Sequence, residues 1–221
     1  MTDSVFAREA QRYDDWYDSP DGAPLFRAEL TTLRPLLADT SAPEIEIGVG
    51  SGRFAEELGI AYGLDPVIAP LKIARTRGVT AIVGAGEALP FLDDTFGATL
   101  FVFTLCFVED PGATIREATR VTRTDGNVIL GVVPADGPLG RHYQELADAG
   151  HRIYSTARFY TRPQLYELLD ASGLEPVGLR SARMTIVNGT ITPGVVADGD
   201  HPDAGFLAIS TQRREDLAPL T

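Results

Sequence analysis

Cysteine, lysine and long apolar runs are all scarce in this 221-residue chain, and each scarcity removes a class of function. The single cysteine, Cys106, excludes an internal disulfide and any cysteine-rich zinc site. The histidines His142, His151 and His201 do not stand at metal-ligand spacing, so no metal is expected. Lys72 is the sole lysine, and 19 basic residues face 31 acidic ones. The resulting net charge of −12 is repelled by phosphate backbones and argues against nucleic acid as a partner. The start, MTDSVFAREAQRYDDW, has no basic segment followed by an apolar one, so no secretory signal is visible. The longest apolar run, 98–108, is too short to span a bilayer and reads as a buried strand. A soluble, cytoplasmic protein is the expectation.

What is present is an ordinary globular composition, 44% hydrophobic and 23% charged, with no internal repeat. Phe6, Ala10, Tyr13 and Tyr17 recur at helical spacing over 1–18, and a second helix carries Leu25, Phe26, Leu30 and Leu33 until Pro35 ends or kinks it. From residue 44 the pattern alternates. Strands are expected at 44–49, 60–65, 80–83, 99–107 and 127–133, with helices near 52–58, 67–77 and 111–122 between them. Asp110 as cap and Pro111 at the first helical position open the last of these helices. Such an order builds a parallel sheet with right-handed crossovers. An irregular insertion follows at 134–160. Thr161 and Gln164 then form a capping box opening a helix that stops at Gly173. Two final strands, near 174–181 and 205–212, have no helix between them and should pair antiparallel at the sheet's end.

The stretch EIEIGVGSGRF, 44–54, places glycine at 48, 50 and 52 directly after a strand. A dinucleotide loop needs its third glycine three positions after the second, to let helix and strand pack closely. That position is Arg53. Glu46, just before the loop, opposes a pyrophosphate and suits a cationic ligand. An NAD-dependent oxidoreductase is therefore disfavoured.

Glu46-Ile47-Gly48-Val49-Gly50-Ser51-Gly52 resembles the first motif of class I S-adenosylmethionine-dependent methyltransferases. Gly63-Leu64-Asp65-Pro66, GAGEALPFLDDTFGATL (84–100) and ATIREATRVTRTDGNVIL (113–130) resemble that family's later landmarks, in order. Ala10-Gln11-Arg12-Tyr13-Asp14-Asp15-Trp16 is similar to a segment common in its small-molecule branch, which includes quinone-biosynthesis C-methyltransferases. The resemblance implies a Rossmann-like doubly wound sheet of seven strands, mostly parallel with the last antiparallel. It further implies an N-terminal helical cap (1–40) on a cofactor-binding domain (41–221), with 134–160 as a substrate lid.

The same resemblance implies S-adenosyl-L-methionine as cofactor and S-adenosyl-L-homocysteine as product. It places the methionine moiety on Gly48, Gly50 and Gly52, its ammonium near Glu46, and the ribose hydroxyls on Asp65, with Pro66 and Val67 beside the adenine. Gly86, Glu87 and Leu89 would meet the adenine edge, where relatives often carry an aspartate at the position of Ala85. Tyr13 would approach the sulfonium, and Thr104 the transfer site. Methyl transfer to a small-molecule acceptor needs alignment more than a compulsory catalytic residue. Thr104 and His142 are the weak catalytic candidates, and Trp16, His142, Tyr143, His151, Tyr154 and Arg158 the substrate-side ones. A non-catalytic S-adenosylmethionine-binding protein would show the same motifs. A monomer or homodimer is expected.

Overall fold

The computed structural model describes residues 5–214. Strands β1 (Glu44–Ile47), β2 (Tyr62–Asp65), β3 (Thr80–Val83), β4 (Phe96–Val102), β5 (Thr122–Val132), β6 (Leu174–Val187), β7 (Thr190–Asp198) and β8 (Ala204–Arg213) form one sheet in the order β3-β2-β1-β4-β5-β8-β6-β7. The first five pair in parallel. Helices α3 (Arg53–Leu58), α4 (Ile68–Thr76) and α5 (Pro111–Val121) make the crossovers that parallel pairing requires. Asp110 caps α5, accepting the Ala113 N–H at 2.8 Å. The capping box at Thr161 and Gln164 opens α7 (Arg162–Ala171), and Gly173, at φ +72°, follows its end.

Four expectations need correction. The sheet has eight strands, because 190–198 pairs with β6 as a hairpin rather than serving as a connection. β8 does not lie at the sheet's end; it inserts antiparallel between β5 and β6. The segment 134–160 is not irregular throughout, since α6 (Pro138–Asp148) and a 3-10 turn (Tyr154–Thr156) lie within it. β4 stops at Val102, and Phe103 turns the chain out of the strand at φ +55°. Pro35 shortens α2 (Gly22–Leu37) without breaking it, because only two residues of helix remain beyond it.

Each sheet face buries its own core. Leu33, Leu100, Ile129 and Phe206 pack on one face, Ile47, Phe101, Ile115 and Leu130 on the other. Each such side chain contributes about 1.5–3 kcal/mol on burial. α2 packs on the first face against β6, β7 and β8, whereas α1 (Val5–Trp16) lies against α4. Among the described residues no helix is long and apolar enough to cross a membrane.

Candidate functional site

The glycine loop leaves β1 at the carboxyl end of the parallel strands, where ligands bind in sheets of this kind. Gly48, Gly50 and Gly52 take φ of +72°, +53° and +80°, a region that side-chain-bearing residues avoid. Two of the three are also demanded by packing. A Cβ at Gly48 would stand 2.3 Å from the Thr104 side chain, and one at Gly52 2.9 Å from Ala74. Gly50 differs, with nothing within 4 Å of its missing Cβ. Its bare face opens on space the protein itself does not fill.

Asp65 holds the Gly50 backbone, and the Glu46 carboxyl of β1 lies within electrostatic reach of Asp65. Asp65, 9% exposed, accepts the Gly50 N–H at 3.0 Å on Oδ2 and the Val67 N–H at 2.8 Å on Oδ1. Burial raises its pKa, and those two N–H groups oppose the rise. Each oxygen keeps a lone pair for a further donor. Glu46 is 2% exposed, and its Oε2 has no hydrogen-bond partner. Burial pushes its pKa well up, the Ala55 N–H opposes, and the Asp65 charge adds to the rise. A buried carboxyl with an unsatisfied oxygen is costly unless something supplies a donor or a positive charge.

Of the residues expected at the adenine edge, Gly86 is buried against Thr114. Glu87 accepts the Glu109 N–H at 3.0 Å, and so braces the turn before α5. Leu89 sits in the core with its N–H donated to Glu117 at 2.8 Å. Pro66 is exposed, and Val67, in extended conformation, caps the start of α4. Thr104 gives its hydroxyl to the Ile47 carbonyl at 3.0 Å and the Val102 carbonyl at 3.1 Å. Cys106 is half-buried, and desolvation pushes its thiol up to about 12.

One group escaped the sequence reading. Asp14, beside Tyr13 on α1, accepts Arg53 at 2.8 Å and Arg77 at 2.9 Å, while Arg77 also donates to the Ser51 carbonyl at 2.7 Å. Arg53, which occupies the third-glycine position of the rejected dinucleotide pattern, also pairs with Asp18. Burial alone would raise Asp14, but the two guanidiniums overcome it and hold the pKa low. The ion pairs bolt α1 to the glycine loop. Asp14→Ala should destabilise the protein by about 3 kcal/mol, the lower end for breaking a buried pair, because Arg53 keeps Asp18 and Arg77 keeps Glu56. Urea unfolding checks this, with the exposed Asp15→Ala as a control expected within about 0.5 kcal/mol of wild type.

The substrate-side candidates divide into two sets. Tyr143 and Tyr154 stack with ring centroids 4.1 Å apart, and His151 stacks on Tyr154 at 4.4 Å. Tyr13 and Tyr17 pair their hydroxyls at 3.1 Å, and Trp16 packs edge-on to Tyr17. Tyr13 is 41% exposed, yet its hydroxyl end turns inward, and burial there raises its pKa. His142 lies on α6, 3.9 Å from Glu145 on the same helix. Arg158 is exposed and is tied by its backbone, its N–H reaching the Cys106 carbonyl at 2.7 Å. Beside this set a cleft of about 770 Å³ opens between Phe6 of α1, Phe107, Arg152 and Thr156.

The sequence model of a family described as "Methyltransferase domain" matches residues 45–130. An uncharacterised protein of Mycobacterium tuberculosis is 43% identical over 209 residues, covering 94% of this chain and 73% of its own. An uncharacterised protein of Methanocaldococcus jannaschii is 32% identical over 212 residues, covering 95% and 99%. A crystal structure from Thermotoga maritima, described as an S-adenosylmethionine-dependent methyltransferase and possible histamine N-methyltransferase, superposes with a TM-score of 0.85 at 30% identity, covering 95% of this chain and 99% of that one.

Proposed function

Since the chain belongs to the class I S-adenosylmethionine-dependent methyltransferases, we propose that it transfers a methyl group to a small-molecule acceptor by in-line displacement. The observation that carries the reading is the open backbone at Gly50, bonded to the buried Asp65, with the unpartnered buried carboxyl of Glu46 in electrostatic reach of Asp65. These residues fit the cofactor. The unpartnered Oε2 of Glu46 suits an ammonium, and the spare lone pairs of Asp65 suit a ribose diol. Bound S-adenosylmethionine supplies a methyl group on a sulfonium, with a neutral thioether as leaving group.

The protein's part is alignment and exclusion of water, and alignment alone can supply about 7–11 kcal/mol of barrier reduction. The loop and Asp65 hold the donor side. Helix α1 roofs it, and α6 with the 3-10 turn presents the aromatic set to the acceptor. Thr104 positions rather than reacts, since its hydroxyl already serves two backbone carbonyls. The net charge of −12 favours a small acceptor over nucleic acid. The small-molecule activity in the Thermotoga protein's description supports the same choice. Within this reading the cap and the 134–160 lid are the substrate-facing parts of a cytoplasmic monomer or homodimer.

The test is calorimetry with S-adenosylhomocysteine and NAD, followed by transfer of labelled methyl into a metabolite extract. Binding of the first ligand with label transferred is expected. Micromolar NAD binding with no S-adenosylhomocysteine binding sinks the reading, and cofactor binding with no acceptor in any extract favours the non-catalytic alternative. Asp65→Ala should weaken S-adenosylhomocysteine by about 1.5–3 kcal/mol, typical for hydrogen bonds to a charged group. Asp65→Asn, which keeps one oxygen, should fall between. An unchanged dissociation constant in a normally melting Asp65→Ala variant removes Asp65 from the site.

A further inference from the structure

Glu29 stands on the buried face of α2, 5% exposed, with Leu25 and Leu33 one turn to either side. Its Oε2 has no hydrogen-bond partner. Burial alone acts on it and pushes its pKa up to about 8, so no cation opposes it among the described residues. Its electrostatic neighbours are tyrosines. Tyr13 comes from α1 and Tyr17 from the turn directly after it, with their hydroxyls paired, and Tyr143 from α6 stacks on Tyr154 of the 3-10 turn. Burial raises all four hydroxyls, and the Glu29 charge adds to each rise. Cys106, in the loop beyond β4, acts on both Tyr13 and Tyr154. That loop also carries Thr104, the side chain in contact with Gly48. The cluster therefore lies at the carboxyl end of the sheet, beside the glycine loop and under both the cap and the lid.

We infer that Glu29 is the specificity-determining carboxylate of the acceptor site, and that the acceptor docks a cationic amine on it among the tyrosine rings. The inference rests on the methyltransferase reading and names the acceptor's class. The buried Glu29 carboxyl has an oxygen without a partner, and the missing partner is a group that brings both positive charge and N–H donors. Aromatic faces add to the attraction for a cation. An alcohol of the same shape offers a hydrogen bond and no charge, and a carboxylate is repelled. The amine stays protonated near neutral pH, so docking must ionise Glu29 and release its proton to solvent. Burial raises Tyr13, Tyr17, Tyr143, Tyr154 and Cys106 above their ordinary values, which leaves Glu29, pushed up to about 8, as the group whose loss of a proton governs docking as the pH rises toward 8.

The experiment is calorimetry on the full chain saturated with S-adenosylhomocysteine. The probes are 2-phenylethylamine, its imidazole and indole counterparts, and the matched alcohols. Amines should bind with affinity rising from pH 6 to pH 8 and with proton release, visible as a dependence on buffer ionisation enthalpy. The alcohols should bind about tenfold or more weakly, and Glu29→Gln should lose amine affinity by a similar factor together with its pH dependence, while S-adenosylhomocysteine affinity holds. Three results each overturn the inference: alcohols binding as well as amines, Glu29→Gln binding amines like wild type, or no amine binding at millimolar concentration to the loaded protein. Loss of S-adenosylhomocysteine binding in the wild type strikes the methyltransferase reading instead.

Discussion

Gly50→Val should abolish donor binding, while Gly59→Val leaves it intact. Both glycines have positive φ, +53° and +76°, and neither has anything within 4 Å of its missing Cβ. Either valine therefore imposes left-handed strain of about 1–3 kcal/mol without an internal clash. The difference is position. Gly59 closes the end of α3, whereas the valine at 50 projects into the open space beside Asp65. Calorimetry with S-adenosylhomocysteine should show at least about a hundredfold loss at Gly50, about 2.8 kcal/mol at 1.4 kcal/mol per decade. Similar melting of the two variants and an equal loss of affinity would reduce the effect to backbone strain and dismiss the cradle.

The second large effect is on stability. Raising the pH from 5 to 9 should destabilise the unliganded wild type more steeply than Glu29→Gln. The ordinary glutamate value is 4.5, and the folded protein holds Glu29 at about 8. Between those values the native state keeps a proton that the unfolded chain has lost. The stabilisation is thus complete below about 4.5 and is lost as the pH rises through 8. At 1.36 kcal/mol per pH unit the displacement corresponds to at most about 5 kcal/mol. Glu46 is shifted in the same direction and contributes to both curves, so the difference between wild type and Glu29→Gln isolates residue 29. Urea unfolding across that range measures it, and parallel profiles would show that Glu29 ionises freely in the native state.

Signals confined to a few neighbouring residues were readable from the sequence. The glycine spacing, the Asp110 cap and the Thr161–Gln164 box each act within one turn, and local chemistry decides them. Features that depend on distant partners were not. Strand β7 contains Pro193 and Gly194, which read as a connection, but it is an edge strand, where a missing N–H costs little. The Asp14 network joins residues 39 and 63 positions apart, and no spacing rule reaches that far. The tyrosine cluster likewise exists only once α6 folds back toward α1. Glu29 did leave a trace. A carboxylate midway between Leu25 and Leu33, at i+4 from one and i−4 from the other, breaks the apolar stripe of α2 on its buried face.

Helix α1 carries Asp14 toward the glycine loop and, with Tyr17 in the turn after it, Tyr13 toward Glu29, while Glu9 in its N-terminal half is pinned to Arg152 at 3.0 Å. One helix thus touches both the glycine loop and the Glu29 cluster. On the proposed function, α1 would act as one gate for donor and acceptor alike. Turnover paced by that gate should show a compulsory order, with donor admitted first and spent donor released last, and loosening a hinge pin such as Glu9 should quicken release at the expense of retention.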